Sequence, residues 1–193
     1  MYENFLAVYP EDFREAERPS AFSHLEGVAG GTELMAIGAG SSFGNGIIRI
    51  HDAHQSRRAV ALIGEVFPEY QGRVIPFAKD WLGRQFAVPT HDGLPTADRI
   101  LLMEPGSGDA FVVDVTLADL FDQEMVEEPD TFLAADLFAE WRRQYPGRVP
   151  ADECVGFKVP LFLGGQGEVE NLEVSDEEVY WGLFGQLRSQ VKG

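Results

Sequence analysis

Four short apolar segments lie between Arg73 and Val115: RVIPFA (73–78), RQFAV (84–88), RILLME (99–104) and AFVVDV (110–115). KDWLG, PTHDGLPT and PGSGD separate them, and their Gly, Pro and Asp residues favour turns. A parallel strand pair needs a crossover of a dozen or more residues. None of these connectors supplies one. The spacing therefore predicts an antiparallel meander and excludes a doubly wound parallel sheet.

The flanks read differently. Met1 to Phe13 begins with a short helix limited by Pro10. Glu33–Ile37 (ELMAI) and Ile47–Ile50 (IIRI) read as strands, with Asn45-Gly46 as a hairpin turn between them. Val60, Ala61, Ile63, Val66 and Phe67 predict a helix over 54–67. Thr116 is placed to cap LADLFDQEM, with Leu117, Leu120, Phe121 and Met125 on one face. Pro129-Asp130 opens a helix carrying Phe132, Leu133, Leu137, Phe138, Trp141 and Tyr145, and Pro146-Gly147 ends it. Val159–Leu163 reads as a short strand or extended segment and Gly164-Gly165 as a turn. Ser175 and Glu178 form a capping-box pattern before Val179, Leu183, Phe184 and Leu187. The expectation is an α+β fold: a mixed, mainly antiparallel sheet flanked by helices. Residues 1–193 form one domain, with 150–193 as a C-terminal closing element. Leu101, Phe111, Val113, Phe138, Trp141 and Leu163 are expected in the core.

Charge narrows the partner. The net charge is −17, which opposes binding to phosphate backbones and to anionic membranes. It favours a cationic protein. The single cysteine, Cys154, allows no disulfide within the chain and suits a reducing compartment. In the context ECVGF it reads as a small buried hydrophobe. MYENFLAVYPEDF has neither the basic start nor the apolar run of a signal peptide, and no stretch reaches the length of a membrane span. The expected location is the cytoplasm.

Chemical motifs are weak. GAGSSFG is followed by a strand and lacks the lysine of a phosphate loop. His51, Asp52 and His54 form the one metal-like cluster. On an extended segment His51 and Asp52 point to opposite faces, and only His24 and His91 remain as further imidazoles. Solvent-facing polar residues at a strand end are the better reading. No catalytic residue, cofactor or metal is expected. The acids are more informative. Ile100 to Trp141 holds eleven Asp or Glu, and Val159 to Leu187 holds six, with no Lys or Arg in either stretch. Surfaces usually mix signs, so these stretches mark a face for a basic partner. The candidate contacts are Asp109, Asp119, Asp122, Glu127, Glu128, Glu173 and Glu177.

VIPFAKDWLGRQFAV, ILLMEPGSGDAFVV and FKVPLFLGGQGEVENLEVSDEEVYWGLFGQL resemble bacterial members of the Smi/Knr-like SUKH superfamily, in the branch related to type VI secretion immunity proteins. Pro160, Leu163, Gly164, Gly165, Asn171, Tyr180 and Gln186 carry the C-terminal likeness, and the resemblance spans roughly residues 30 to 190. It implies an α+β domain that binds and neutralises a cognate toxin domain without catalysis, by steric and electrostatic occlusion. It also implies that Asn171 satisfies loop backbone groups. An adaptor or regulator on the same scaffold is the alternative. A metal-dependent hydrolase using His51, Asp52 and His54 is a second.

Overall fold

The computed structural model describes residues 1–14 and 24–192. The strands are β1 (Glu11–Arg14), β2 (Ser41–Phe43), β3 (Ile48–Ile50), β4 (Val74–Asp80), β5 (Gln85–His91), β6 (Leu94–Pro95), β7 (Ile100–Glu104), β8 (Asp109–Val113), β9 (Glu153–Phe157) and β10 (Leu172–Asp176). The first eight make one sheet in the order β1-β2-β3-β4-β5-β7-β8, with β6 paired to β5. The last two pair separately. All of these pairings are antiparallel. The helices are α1 (Glu3–Val8), α2 (Gly31–Gly38), α3 (Ala53–Val66), α4 (Leu117–Asp119), α5 (Met125–Glu127), α6 (Pro129–Leu133), α7 (Ala135–Gln144) and α8 (Glu177–Lys192). The architecture is α+β with a large, mainly antiparallel sheet, as the connector lengths required.

Aromatic contacts assemble the core. Phe5 of α1 meets Phe121 edge-on at 4.9 Å and lies 5.3 Å from Phe43 of β2. Phe121 also faces Phe77 of β4 at 6.1 Å. A second cluster joins α3 to α8, where Phe67 meets Trp181 at 6.1 Å and Tyr180 meets Phe184 at 4.3 Å. The β4–β5 turn links these parts. Trp81 donates through Nε1 to the Leu133 carbonyl, and Trp181 donates to the Gly83 carbonyl. Gly83 has φ +75, and a Cβ there would press on Cys154. Glycine is the residue that fits.

Several local expectations need correction. ELMAI lies in α2 rather than in a strand. Leu34 is buried, and Gly38 sits so close to the Phe43 ring that a Cβ would collide with it. The hairpin strand before Asn45-Gly46 is SSF instead, and both turn residues have positive φ. The buried stripe of α3 is Ala59, Leu62, Ile63 and Val66, while Ala61 is exposed. The helix expected over 129–145 breaks at Ala134, whose φ is +48. Its first half ends there because Arg84 and Trp81 take up the Phe132 and Leu133 carbonyls, groups that a helix end leaves without partners.

VPLFL is not a strand. Leu161–Leu163 forms a 3-10 turn, held where Leu161 N donates to the Gly106 carbonyl. Leu163 is 46% exposed as a result. Phe111 is likewise 46% exposed and Val113 is half-buried, because β8 is an edge strand. Leu101, Phe138 and Trp141 are buried as expected. The cap of α8 is Asp176, which accepts from Val179 N at 2.9 Å, and not Ser175, which pairs with Cys154 in the β9–β10 ladder. Tyr180, Trp181 and Phe184 form the buried side of α8, leaving Val179 and Leu183 exposed.

Candidate protein-binding face

The acids divide first by burial. Glu177, expected as a partner contact, is only 6% exposed. Its Oε2 pairs with Lys79 Nζ at 2.9 Å, and its Oε1 accepts from Gln85 Nε2 at 2.9 Å. Lys79 also donates to the Ala151 and Glu153 carbonyls. A carboxylate only accepts, so Glu177 orients the Gln85 amide. Gln85 Oε1 then faces His51 Nε2 at 2.8 Å, which places the imidazole proton on Nε2. His51 Nδ1 is left buried without a partner among the described residues. Burial pushes the His51 pKa down to about 3, against the pull of its Gln85 bond. The first turn of α8 is thus fastened to β4 and β5 by an internal polar network. Burial removes Glu177 from the list of partner contacts.

The same network corrects the reading of HDAH. His51 faces the interior rather than solvent. Asp52 caps α3, accepting from the His54 and Gln55 amides at 2.7 and 2.8 Å, while Gln55 Oε1 accepts from Asp52 N. His54 is exposed. Among the described residues no group of three or more His, Cys, Asp or Glu could hold a metal. Burial drives the Cys154 thiol upward, so it stays protonated at neutral pH.

Two other candidates act within the fold. Asp119 Oδ2 accepts from Thr116 Oγ1 at 2.7 Å, and Thr116 Oγ1 accepts from Asp119 N, which closes the N-terminus of α4. Asp122 Oδ1 accepts from the Asn4 and Phe5 amides and so caps α1. Both are half-buried. The base-free stretches also draw cations from elsewhere in the chain. Arg58 pairs with Glu178 at 2.8 Å and Arg99 with Asp114 at 3.1 Å. Absence of bases in sequence therefore does not by itself leave an unpaired surface.

Asp109, Glu127, Glu128 and Glu173 remain exposed. Asp109 begins β8 and Glu173 lies on β10, whereas Glu127 and Glu128 end α5 and precede Pro129. Asp130, Asp136 and Glu140 extend that last pair along α6 and α7, and all three are exposed. The bend at Ala134 folds Asp136 back on Asp130, whose Oδ1 accepts from Asp136 N at 2.7 Å. A hydrogen bond between the two carboxyl groups, reinforced by charge repulsion, raises the Asp136 pKa. Asp136 and Glu140, one turn apart, border an open groove of about 670 Å³ with Leu137, Ala139, Arg143 and Gly167. The acidic run was visible in the sequence, but the Ala134 bend that gathers it was not. Such a groove can hold the stem of a Lys or Arg while carboxylates meet its head.

This face lies within the stretch of the chain that matches a family model. Residues 116–188 match the model of the family described as T6SS immunity protein Tdi1, C-terminal. The match supports a type VI secretion immunity-like protein. No curated protein matches the chain. Among solved structures, the crystal structure of Atu4351 from Agrobacterium tumefaciens is similar at a TM-score of 0.64 and 16% identity, covering 96% of this chain and 89% of that one. That likeness is one of fold.

Proposed function

We propose that the chain is a non-enzymatic immunity protein that binds a cognate toxin domain and occludes it sterically and electrostatically. The observation that carries this reading is the immunity-family match over 116–188, the stretch that contains Glu127, Glu128, Asp130, Asp136 and Glu140. A toxin domain that acts on nucleic acid is basic where it holds phosphate, and a face of solvent-exposed carboxylates complements it. Rim charges of this kind raise the rate of encounter, and the few that become desolvated slow dissociation. The resemblance of the C-terminal block to Smi/Knr-like proteins supports a SUKH-like scaffold. The net charge of −17 disfavours nucleic acid or an anionic membrane as the partner, and the single cysteine favours the cytoplasm as the site of action.

The test is co-expression with the toxin domain of a secreted effector, sought first in the product of the neighbouring gene. The expected result is restored growth and a stable complex that survives purification. Growth arrest with no complex between the two folded proteins would remove the immunity reading.

A further inference from the structure

β8 ends the large sheet and, among the described residues, pairs with β7 alone. Its sequence, DAFVV, is unusual for an open edge. Phe111 is 46% exposed and Val112 is 53% exposed. Edge strands that present apolar side chains and free backbone groups pair with further strands unless something blocks them. Here the blocking is selective. Asp109 opens the strand and Asp114 follows it, and Asp114 is 74% exposed even while Arg99 contacts it. Two copies of β8 paired antiparallel with Phe111 opposite Val112 would set Asp109 opposite Asp114 at both ends. Like charges directly opposite destabilise a strand pair, whereas opposite charges stabilise it. In that register the edge is closed to its own copy, and it is open to a strand with cationic ends.

A hollow of about 220 Å³ adjoins the start of this edge, lined by Ser107, Gly108, Asp109, Phe162, Arg188 and Val191. Arg188 holds its wall in place, donating to the Gly108 and Val66 carbonyls at 2.7 and 2.6 Å. Leu161 N fastens the neighbouring turn to the Gly106 carbonyl. The edge and the hollow form one built surface. Main-chain pairing along a strand edge supplies affinity, and pockets for alternate side chains supply selectivity.

We propose that the β8 edge, together with this hollow, captures an extended segment of a protein partner with apolar residues at its centre and Lys or Arg at its ends. The segment adds as a strand beside β8. Its apolar centre covers Phe111 and Val112, its cations meet Asp109 and Asp114, and one apolar side chain enters the hollow between Phe162 and Val191. This surface shares no residue with the Glu127–Glu140 face and stands or falls without it.

The probe is a random heptapeptide display library panned on the intact chain, with the Phe111→Ser variant kept out of the selection and used only to compare binding. Circular dichroism and thermal unfolding confirm that each variant is folded. Enriched peptides should alternate apolar residues and carry Lys or Arg at the ends. They should bind at least tenfold more weakly to Phe111→Ser and slow hydrogen exchange at the alternate amides between Ala110 and Val113 that face the open edge. A second variant, D109K/D114K, should turn the preference at the peptide ends to Asp and Glu. Failure to enrich any peptide, unchanged end preference in D109K/D114K, or protection confined to other amides would overturn the proposal. So would a dimer in sedimentation that Phe111→Ser dissociates, since the occupant would then be a second copy.

Discussion

The first turn of α8 and the face formed by α5 to α7 carry the same kind of side chain under opposite conditions. Glu177 is buried, with Lys79, Gln85 and two backbone carbonyls satisfying a charge pair that is almost withdrawn from water. Glu127, Glu128, Asp130, Asp136 and Glu140 stand in water, two of them crowded enough to repel. Desolvation makes the first group a question of stability. Solvation leaves the second free for long-range attraction. A carboxylate in this chain thus holds the fold together or is available to a partner according to its depth, and the substitutions below separate the two.

The largest effect is expected at Glu177→Leu. It strands the Lys79 charge in the interior, and removing one partner of a buried pair costs about 3–5 kcal/mol. Urea unfolding measures it, and a loss under 1 kcal/mol would place Glu177 with the surface acids instead. A similar size is expected from pH. His51 has a folded pKa of about 3 and His24 of about 4, each depressed first by burial. Both lie below the ordinary 6.5, so the unfolded chain takes up these protons first, and stability falls as pH drops from about 6.5 toward 4. One proton over that window corresponds to about 3 kcal/mol. Asp80 opposes this. Burial raises it to about 6 despite its bonds to Arg84, so stability recovers a part between pH 6 and 3.8. With two histidines against one aspartate, the net slope is a loss. His51→Gln should flatten it in unfolding experiments run from pH 7 to 4.

Trp81→Phe is expected to cost about 1–2 kcal/mol, because the buried Leu133 carbonyl loses its donor. It should also loosen the bend at Ala134 and weaken partner binding without touching an acid. The smallest stability effect belongs to E127K/E128K, expected within about 0.5 kcal/mol of the parent in the same unfolding assay. A large loss there would erase the distinction between the two regions.

The connector lengths made the antiparallel sheet legible, and Thr116 with its apolar partners made α4 and the following turn legible. Asn171 also met the expectation drawn from its resemblance, bonding Val159 through both its amide and its carbonyl. What escaped depends on contacts distant in sequence. ELMAI is too short for periodicity to separate helix from strand, and its packing on Phe43 decides the matter. The break at Ala134 depends on Trp81 and Arg84, some fifty residues earlier. Nothing local distinguishes Glu177 from Glu178. One is drawn inward by Lys79 and the other meets Arg58 in solvent. Base-free stretches measured charge along the chain, but recognition depends on charge in space.

The most direct measurement of the central claim is association of the intact chain with the proposed toxin domain, sought in the neighbouring gene product, at low and high salt, for the parent and for E127K/E128K. The parent should associate fast, with an on-rate that falls steeply as salt rises. The charge-reversed variant should associate at least tenfold more slowly at low salt and lose most of that salt dependence. Tight binding indifferent both to salt and to the reversal would contradict the acidic-face mechanism and move recognition to an apolar surface.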